Sequence, residues 1–188
     1  MFRYALTLIL VSVVAVGAAA PPLASAQVKV PRVDFRDRTL ANGLRVLSVE
    51  DHSSPTVAIY VWYHVGSKDD PEGRSGFAHL FEHILFKATK NMKDETLDRL
   101  TEDVGGFNNA YTADDVTVYH EVVPSNYLET LLWAEAERLS SLTPVERTFV
   151  SERDVVKEEY RQRYLANPYG RLFLEIEKKS FATHPYRR

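Results

Sequence analysis

The sequence predicts an α+β fold in which helices pack on a mostly antiparallel sheet. Two observations favour this class: segments rich in β-branched and aromatic residues occur in adjacent pairs, and helical segments do not alternate with single strands. The composition agrees, since 45% of the 188 residues are hydrophobic, 11% aromatic and 26% charged. These values are typical of one globular domain, and not of a disordered, collagen-like or polytopic membrane protein.

The first predicted strand pair comprises residues 44–50 and 56–65, where β-branched and aromatic side chains are frequent. Asn42-Gly43 marks a turn before the first of them. We expect the two segments to be antiparallel neighbours. Apolar residues occupy both alternating faces of the second segment, which predicts that it is a central strand.

The remaining elements are predicted from capping residues and periodicity. Ser75 is a good N-cap for a helix over residues 76–88, and Gly105-Gly106 ends a second helix over residues 94–104. A second strand pair is predicted over residues 107–113 and 116–123, and further helices over residues 128–139, 144–163 and 171–181.

The N-terminal segment has the order of a secretory signal peptide. Arg3 precedes an apolar stretch over residues 5–20, and small residues lead to Ala24-Ser25-Ala26. An uncleaved membrane anchor is the alternative, but the stretch is shorter than the ~20 residues that a spanning helix needs. We expect residues 1–26 to be removed, residues 27–188 to form the domain, and the protein to be exported, periplasmic or secreted, with no membrane span after cleavage.

The composition also limits the chemistry. The chain has no cysteine, which excludes disulfides, thiolate zinc sites and a cysteine nucleophile, so any metal must be held by histidines and carboxylates. The formal net charge is −3 and no basic run stands out. We therefore expect no nucleic-acid partner.

The strongest chemical signal is an H-x-x-E-H motif inside the first predicted helix, at residues 79–83. Helical residues four apart lie on one face about one turn apart, so His79 and His83 can reach the same ion. Glu82 is rotated to the side, close enough to contact a water at that ion without being a ligand. A solvated helix face with two ordinary histidines is the alternative that the motif alone leaves open.

A hydrolytic zinc site needs a third protein ligand and one open position. Candidates lie in the helix predicted over residues 144–163. Glu152 and Glu159 share one stripe of that helix, and Glu158 is rotated by about 100° from Glu159. Spacing alone does not decide which of them faces the metal, and an acidic solvated helix face is the simpler alternative.

Taken together, these residues resemble the pitrilysin-type inverzincin metallopeptidases, the family that includes insulin-degrading enzyme and the mitochondrial processing peptidase. The resemblance extends from about residue 34 to residue 188. It is carried by the segments TLANGLRVLSVE, VGSKDDPEGRSGFAHLFEHILFKAT, GGFNNAYTADDVTVYHEVVPSNYLETLLWAEAERL, ERDVVKEEYRQR and FATHPYRR.

The resemblance implies a zinc-dependent endopeptidase that hydrolyses peptides or unfolded polypeptides with one Zn²⁺ per chain. By position, the zinc ligands become His79, His83 and Glu159, and Glu82 becomes the general base. Glu152 matches a second acidic position that supports the site without being a ligand. The resemblance also makes residues 107–111 a substrate-binding edge strand, on which Asn109 and Ala110 face the peptide.

The resemblance also implies a partner, because members of this family enclose their substrate between two homologous halves. The sequence resembles the N-terminal part of such an enzyme, and we expect a metallopeptidase domain that is truncated and that needs a second half or subunit. The alternative is a non-catalytic or partner-dependent subunit of the same fold that binds peptides. Such members typically lose motif residues, whereas this chain retains all four.

Overall fold

The computed structural model describes residues 32–187, so the predicted signal peptide lies outside the described part of the chain. The chain divides into two compact units, one ending at Glu50 and one beginning at Asp51.

The first unit contains a β-hairpin. Strand β1 (Arg36–Thr39) pairs antiparallel with strand β2 (Arg45–Ser48). The predicted turn lies between them, and Gly43 has a φ of 88°, a left-handed conformation that glycine adopts at no steric cost. Sequence reasoning missed β1, because its short polar run Arg-Asp-Arg-Thr has no apolar alternation.

The second unit contains a three-stranded antiparallel sheet in the order β3 (Thr56–Tyr63), β5 (Thr117–Pro124), β4 (Phe107–Thr112). The predicted pairing of residues 44–50 with residues 56–65 was wrong, because β2 pairs with β1 and β3 pairs with β5. A turn signal shows where a chain reverses and not which strands it joins.

The prediction that residues 56–65 form a central strand was also wrong for this sheet. Strand β5 occupies the central position, and β3 alternates between half-buried and exposed residues. Tyr60 and Trp62 are each 56% exposed. These two aromatic side chains, which suggested that both faces of the strand are buried, lie on the more exposed face of β3.

All five predicted helices are present, and the predicted α+β class is correct. They are α1 (Phe77–Ile84), α2 (Thr96–Glu102), α3 (Leu128–Ser140), α4 (Glu146–Tyr160) and α5 (Gly170–Ser180). Short 3-10 turns occur at Ser67–Asp69 and Ser125–Tyr127, and a π-helical segment, Arg161–Leu165, follows α4. No helix within residues 32–187 combines the length and the apolar character needed to cross a bilayer.

Helix α1 is shorter than predicted and begins differently. Its N-cap is Gly76, with a φ of 93°, and not Ser75. The Asp70 carboxylate takes the role of the capping side chain from a distance, because the backbone N–H groups of Gly76 and Ala78 each donate to it at 2.7 Å. The loop before α1 thereby fixes the start of the motif helix.

A buried ionic cluster lies between the sheet and α3. Arg138 Nη2 donates to Glu121 Oε1 at 2.9 Å and is 2.7 Å from Glu135 Oε1. The guanidinium also lies over the rings of Tyr119 and Phe86, 4.4 and 5.2 Å from their centroids. Burial and the neighbouring Glu135 raise the pKa of Glu121 to about 9, although Arg138 opposes the shift.

Candidate metal centre

Helix α1 presents two imidazoles to one point in space. His79 and His83 lie one turn apart, and their Nε2 atoms are 3.3 Å from each other. The ring centroids are 4.9 Å apart and the ring planes are inclined by 80°. The rings therefore converge at their Nε2 atoms without stacking face to face.

Helix α4 packs against α1 and supplies the third donor. Glu159 Oε2 lies 3.5 Å from His79 Nε2 and 3.7 Å from His83 Nε2. Among the three glutamates that helical spacing left open, Glu159 is the one whose carboxylate lies beside the Nε2 atoms of both histidines, whereas Glu158 pairs with Arg161 at 2.6 Å.

The donor separations fit one zinc ion. A tetrahedral ion lies about 2.1 Å from three atoms spaced in this way, which is within the range of Zn–N and Zn–O bonds in proteins. Tetrahedral zinc with such bonds separates its ligand atoms by about 3.3 Å, close to the observed distances. The side chains of His83, His79 and Glu159 are 19%, 37% and 47% exposed, so one side of the cluster is open to water or substrate.

Glu152 lies behind His83, on the side away from the shared point. Its Oε2 is 3.3 Å from His83 Nδ1, and its Oε1 is 3.0 Å from Lys87 Nζ. When Nδ1–H donates to this carboxylate, the tautomer leaves the Nε2 lone pair free to bind a metal. Glu152 therefore contacts His83 without joining the cluster formed by His79, His83 and Glu159.

Glu82 lies apart from the three donors, in a largely buried position against the sheet. The residue is 8% exposed. The Thr112 hydroxyl donates to its Oε2, and the Tyr119 hydroxyl donates to its backbone carbonyl at 3.2 Å. Among the described residues, the one cluster of potential metal-binding side chains contains His79, His83 and Glu159 and leaves Glu82 out.

Strand β4 carries the two residues expected to face a peptide. It is an outer strand of its sheet, with β5 on one side. Asn109 is exposed, Ala110 is half-buried, and the Ala110 N–H donates to Asn109 Oδ1 at 2.8 Å. An outer strand offers backbone groups with which an extended chain can pair.

Sequence reasoning missed three residues that surround the site: Lys87, Thr112 and Tyr119. Strand alternation places Thr112 on the same face as Ala110, which is a signal for its direction but not for its partner. Nothing in the spacing of Lys87 or Tyr119 indicates that they contact Glu152 and the Glu82 backbone. Both contacts join elements that are distant in the sequence.

The H-x-x-E-H pattern on α1 is the signature of the inverzincin class. The model of the insulinase family, peptidase family M16, matches residues 45–186. The chain belongs to this family.

Two relatives and one solved structure illustrate the membership. The chain is 38% identical over 149 residues to a protein named zinc protease PqqE of Helicobacter pylori, a match covering 79% of this chain and 34% of that protein. It is 33% identical over 142 residues to a probable mitochondrial-processing peptidase subunit beta of Arabidopsis thaliana, covering 76% of this chain and 27% of that protein.

The solved structure is the crystal structure of a protease from Helicobacter pylori. The likeness has a TM-score of 0.79 and 36% sequence identity, and it covers 82% of this chain and 38% of that one. The chain thus spans about a third of the length of the relatives it matches, or less.

Proposed function

We propose that this chain is part of a zinc-dependent endopeptidase that hydrolyses peptides or unfolded polypeptides. The observation that carries the proposal is the convergence of His79, His83 and Glu159 at separations that fit one zinc ion, with a separate carboxylate beside them. Family membership supports a peptidase, and the donor chemistry supports zinc as its metal.

The two neutral imidazoles and the Glu159 carboxylate would hold the metal. Zinc bound there would act as a Lewis acid that lowers the pKa of a bound water to about 7 and polarises a substrate carbonyl. Glu152 and Lys87 would keep His83 in the tautomer that presents Nε2.

Glu82 would act as the proton carrier. As water attacks the scissile carbonyl carbon, the Glu82 carboxylate accepts a proton from that water. When the C–N bond breaks, the same proton passes to the departing amine, so the carboxylate returns to its starting state. The low exposure of Glu82 and its absence from the donor cluster support this division between ligands and base.

Strand β4 would bind the substrate by pairing with its backbone. An extended peptide added at this edge makes main-chain hydrogen bonds that depend little on its side chains, which suits varied or unfolded polypeptides. A substrate carbonyl would replace the Asn109 side chain as the acceptor for the Ala110 N–H.

We also propose that the active protein includes a second homologous half or subunit. The chain spans about a quarter to a third of the length of the relatives, and one of these is named as a subunit. Purification of the tagged protein from its native host, followed by mass spectrometry, tests this. Co-purification of another M16 chain supports the proposal, and full peptidase activity of the pure 188-residue chain contradicts it.

Export to the periplasm or the exterior is a further proposal, and it rests on residues 1–26 alone. N-terminal sequencing of the mature protein tests it. A mature chain that begins at Gln27 supports export, and an intact Met1 contradicts it.

The peptidase proposal is tested by measuring zinc per chain together with cleavage of a quenched fluorescent peptide, with and without a chelator. Glu82→Gln should retain zinc and lose cleavage, because it keeps the shape but not the base. Glu158→Gln is the matched control, since Glu158 lies on the exposed side of α4 and pairs with Arg161. Full-rate cleavage by Glu82→Gln contradicts the mechanism, and zinc with peptide binding but no cleavage points to a binding subunit.

A further inference from the structure

We infer that Thr112 is a positioning residue for the proton carrier: its hydroxyl holds one oxygen of Glu82 and leaves the other oxygen to exchange the proton. This inference rests on the proposed function. The contact joins the outer strand β4 to the motif helix α1, through the Thr112 hydroxyl and Glu82 Oε2.

The hydrogen bonds around Thr112 show that its hydroxyl donates to the Glu82 carboxylate. A threonine hydroxyl has one hydrogen to donate. The neighbouring Thr117 hydroxyl donates its hydrogen to the Val65 carbonyl at 2.9 Å. Toward the Thr112 hydroxyl, which is 3.5 Å away, Thr117 can therefore act only as an acceptor. The 3.5 Å separation is long for a bond between hydroxyls, and the Thr112 hydrogen therefore goes to the nearer Glu82 oxygen.

The carboxylate has little else to fix its direction. Among residues 32–187, Thr112 provides its hydrogen bond, and that bond falls on Oε2. The Tyr119 hydroxyl anchors the Glu82 backbone and not the side chain. Since the residue is 8% exposed, water has limited access to replace a lost donor. The free Oε1 is then the atom that takes up and releases the proton.

The position of Thr112 also connects substrate binding to the alignment of the base. Thr112 lies two residues beyond Ala110 on β4 and, by alternation, on the same face. A peptide that pairs with β4 would restrain the strand that orients Glu82. Loss of the hydroxyl should therefore slow the chemical step and leave peptide binding nearly intact.

The first experiment compares Thr112→Val, Thr112→Ser and the exposed control Thr183→Val in peptide cleavage and zinc content. Thr112→Val should lower kcat by about 10- to 100-fold with KM changed less than about two-fold, because orientation of the base matters in the transition state. Thr112→Ser should recover most of the rate, since it restores the donor, and zinc content should not change. Equal loss in the serine and valine variants would overturn the inference.

The second experiment does not depend on activity. The thermal unfolding midpoint is measured for Thr112→Val in the wild-type chain and in a Glu82→Ala chain. The valine should lower the midpoint by several degrees in the first, where it leaves a buried carboxylate without its donor, and not in the second. Equal shifts in both backgrounds would refute the contact. If the wild-type chain together with its co-purified partner cleaves nothing, the peptidase proposal fails, and this comparison still decides the role of Thr112 toward Glu82.

Discussion

Replacing Glu152 by glutamine tests whether metal binding at the proposed zinc site depends on the carboxylate behind His83. The Glu152 side chain is 12% exposed and contacts His83 Nδ1 at 3.3 Å and Lys87 Nζ at 3.0 Å. Glutamine keeps the volume but removes the charge, so it weakens the bond that orients the imidazole and leaves Lys87 without its ion-pair partner in a partly buried position.

The expected loss is about 10- to 100-fold in zinc affinity, which is the usual effect of removing an outer partner of a metal-binding histidine. In free energy this corresponds to about 1.4–2.7 kcal/mol. The assay is competition for zinc against a coloured chelator of known affinity. The control is Glu158→Gln on the same helix, whose 2.6 Å pair with Arg161 is exposed and should contribute little.

Two results would refute this reasoning. The first is wild-type zinc affinity in Glu152→Gln, which would mean that His83 is oriented without this carboxylate. The second is an equal loss in Glu158→Gln, which would indicate a general effect of charge on α4 and not the contact with His83.

Two further predictions concern stability. Burial raises the pKa of Glu121 to about 9 in the folded protein, whereas in the unfolded chain the carboxyl has its ordinary pKa of 4.5. The bound proton therefore stabilises the fold fully below pH 4.5, and this stabilisation is lost as the pH rises through about 9. Glu121→Gln should therefore flatten the fall of the unfolding midpoint between about pH 5 and pH 9, and an unchanged slope would contradict the assignment. Leu131 in α3 is 0% exposed, so Leu131→Ala should lower the free energy of unfolding by about 2–5 kcal/mol, as measured by urea denaturation. A decrease below about 1 kcal/mol would show that the burial of Leu131 contributes little to stability.

Local signals in the sequence were sufficient for the helices and for the approach of the two motif histidines. His79 and His83 are one turn apart on a single helix, so their proximity follows from helix geometry alone. Pairing of β2 and β3 could not be read in this way, because a strand carries no local mark of its partner. The β-branched residues of β3 correctly indicated a strand. The prediction that this strand is central in its sheet was wrong.

The rest of the site depends on contacts between distant segments. Glu159 could be separated from Glu158 only by the way in which α4 packs on α1, or by resemblance to a family. The donation from Thr112 to Glu82 joins residues 30 positions apart. The burial of Arg138 between two glutamates contradicts the usual exposure of charged residues, and so no pattern of polarity indicates it.

The most direct test of the proposed zinc site is equilibrium dialysis of the wild-type chain and of Glu159→Ala against zinc, with metal measured per chain. We expect one zinc per wild-type chain, and binding in the variant weakened enough for most of the metal to be lost. Equal zinc content in both proteins would show that Glu159 does not complete the site with His79 and His83, and would contradict the account.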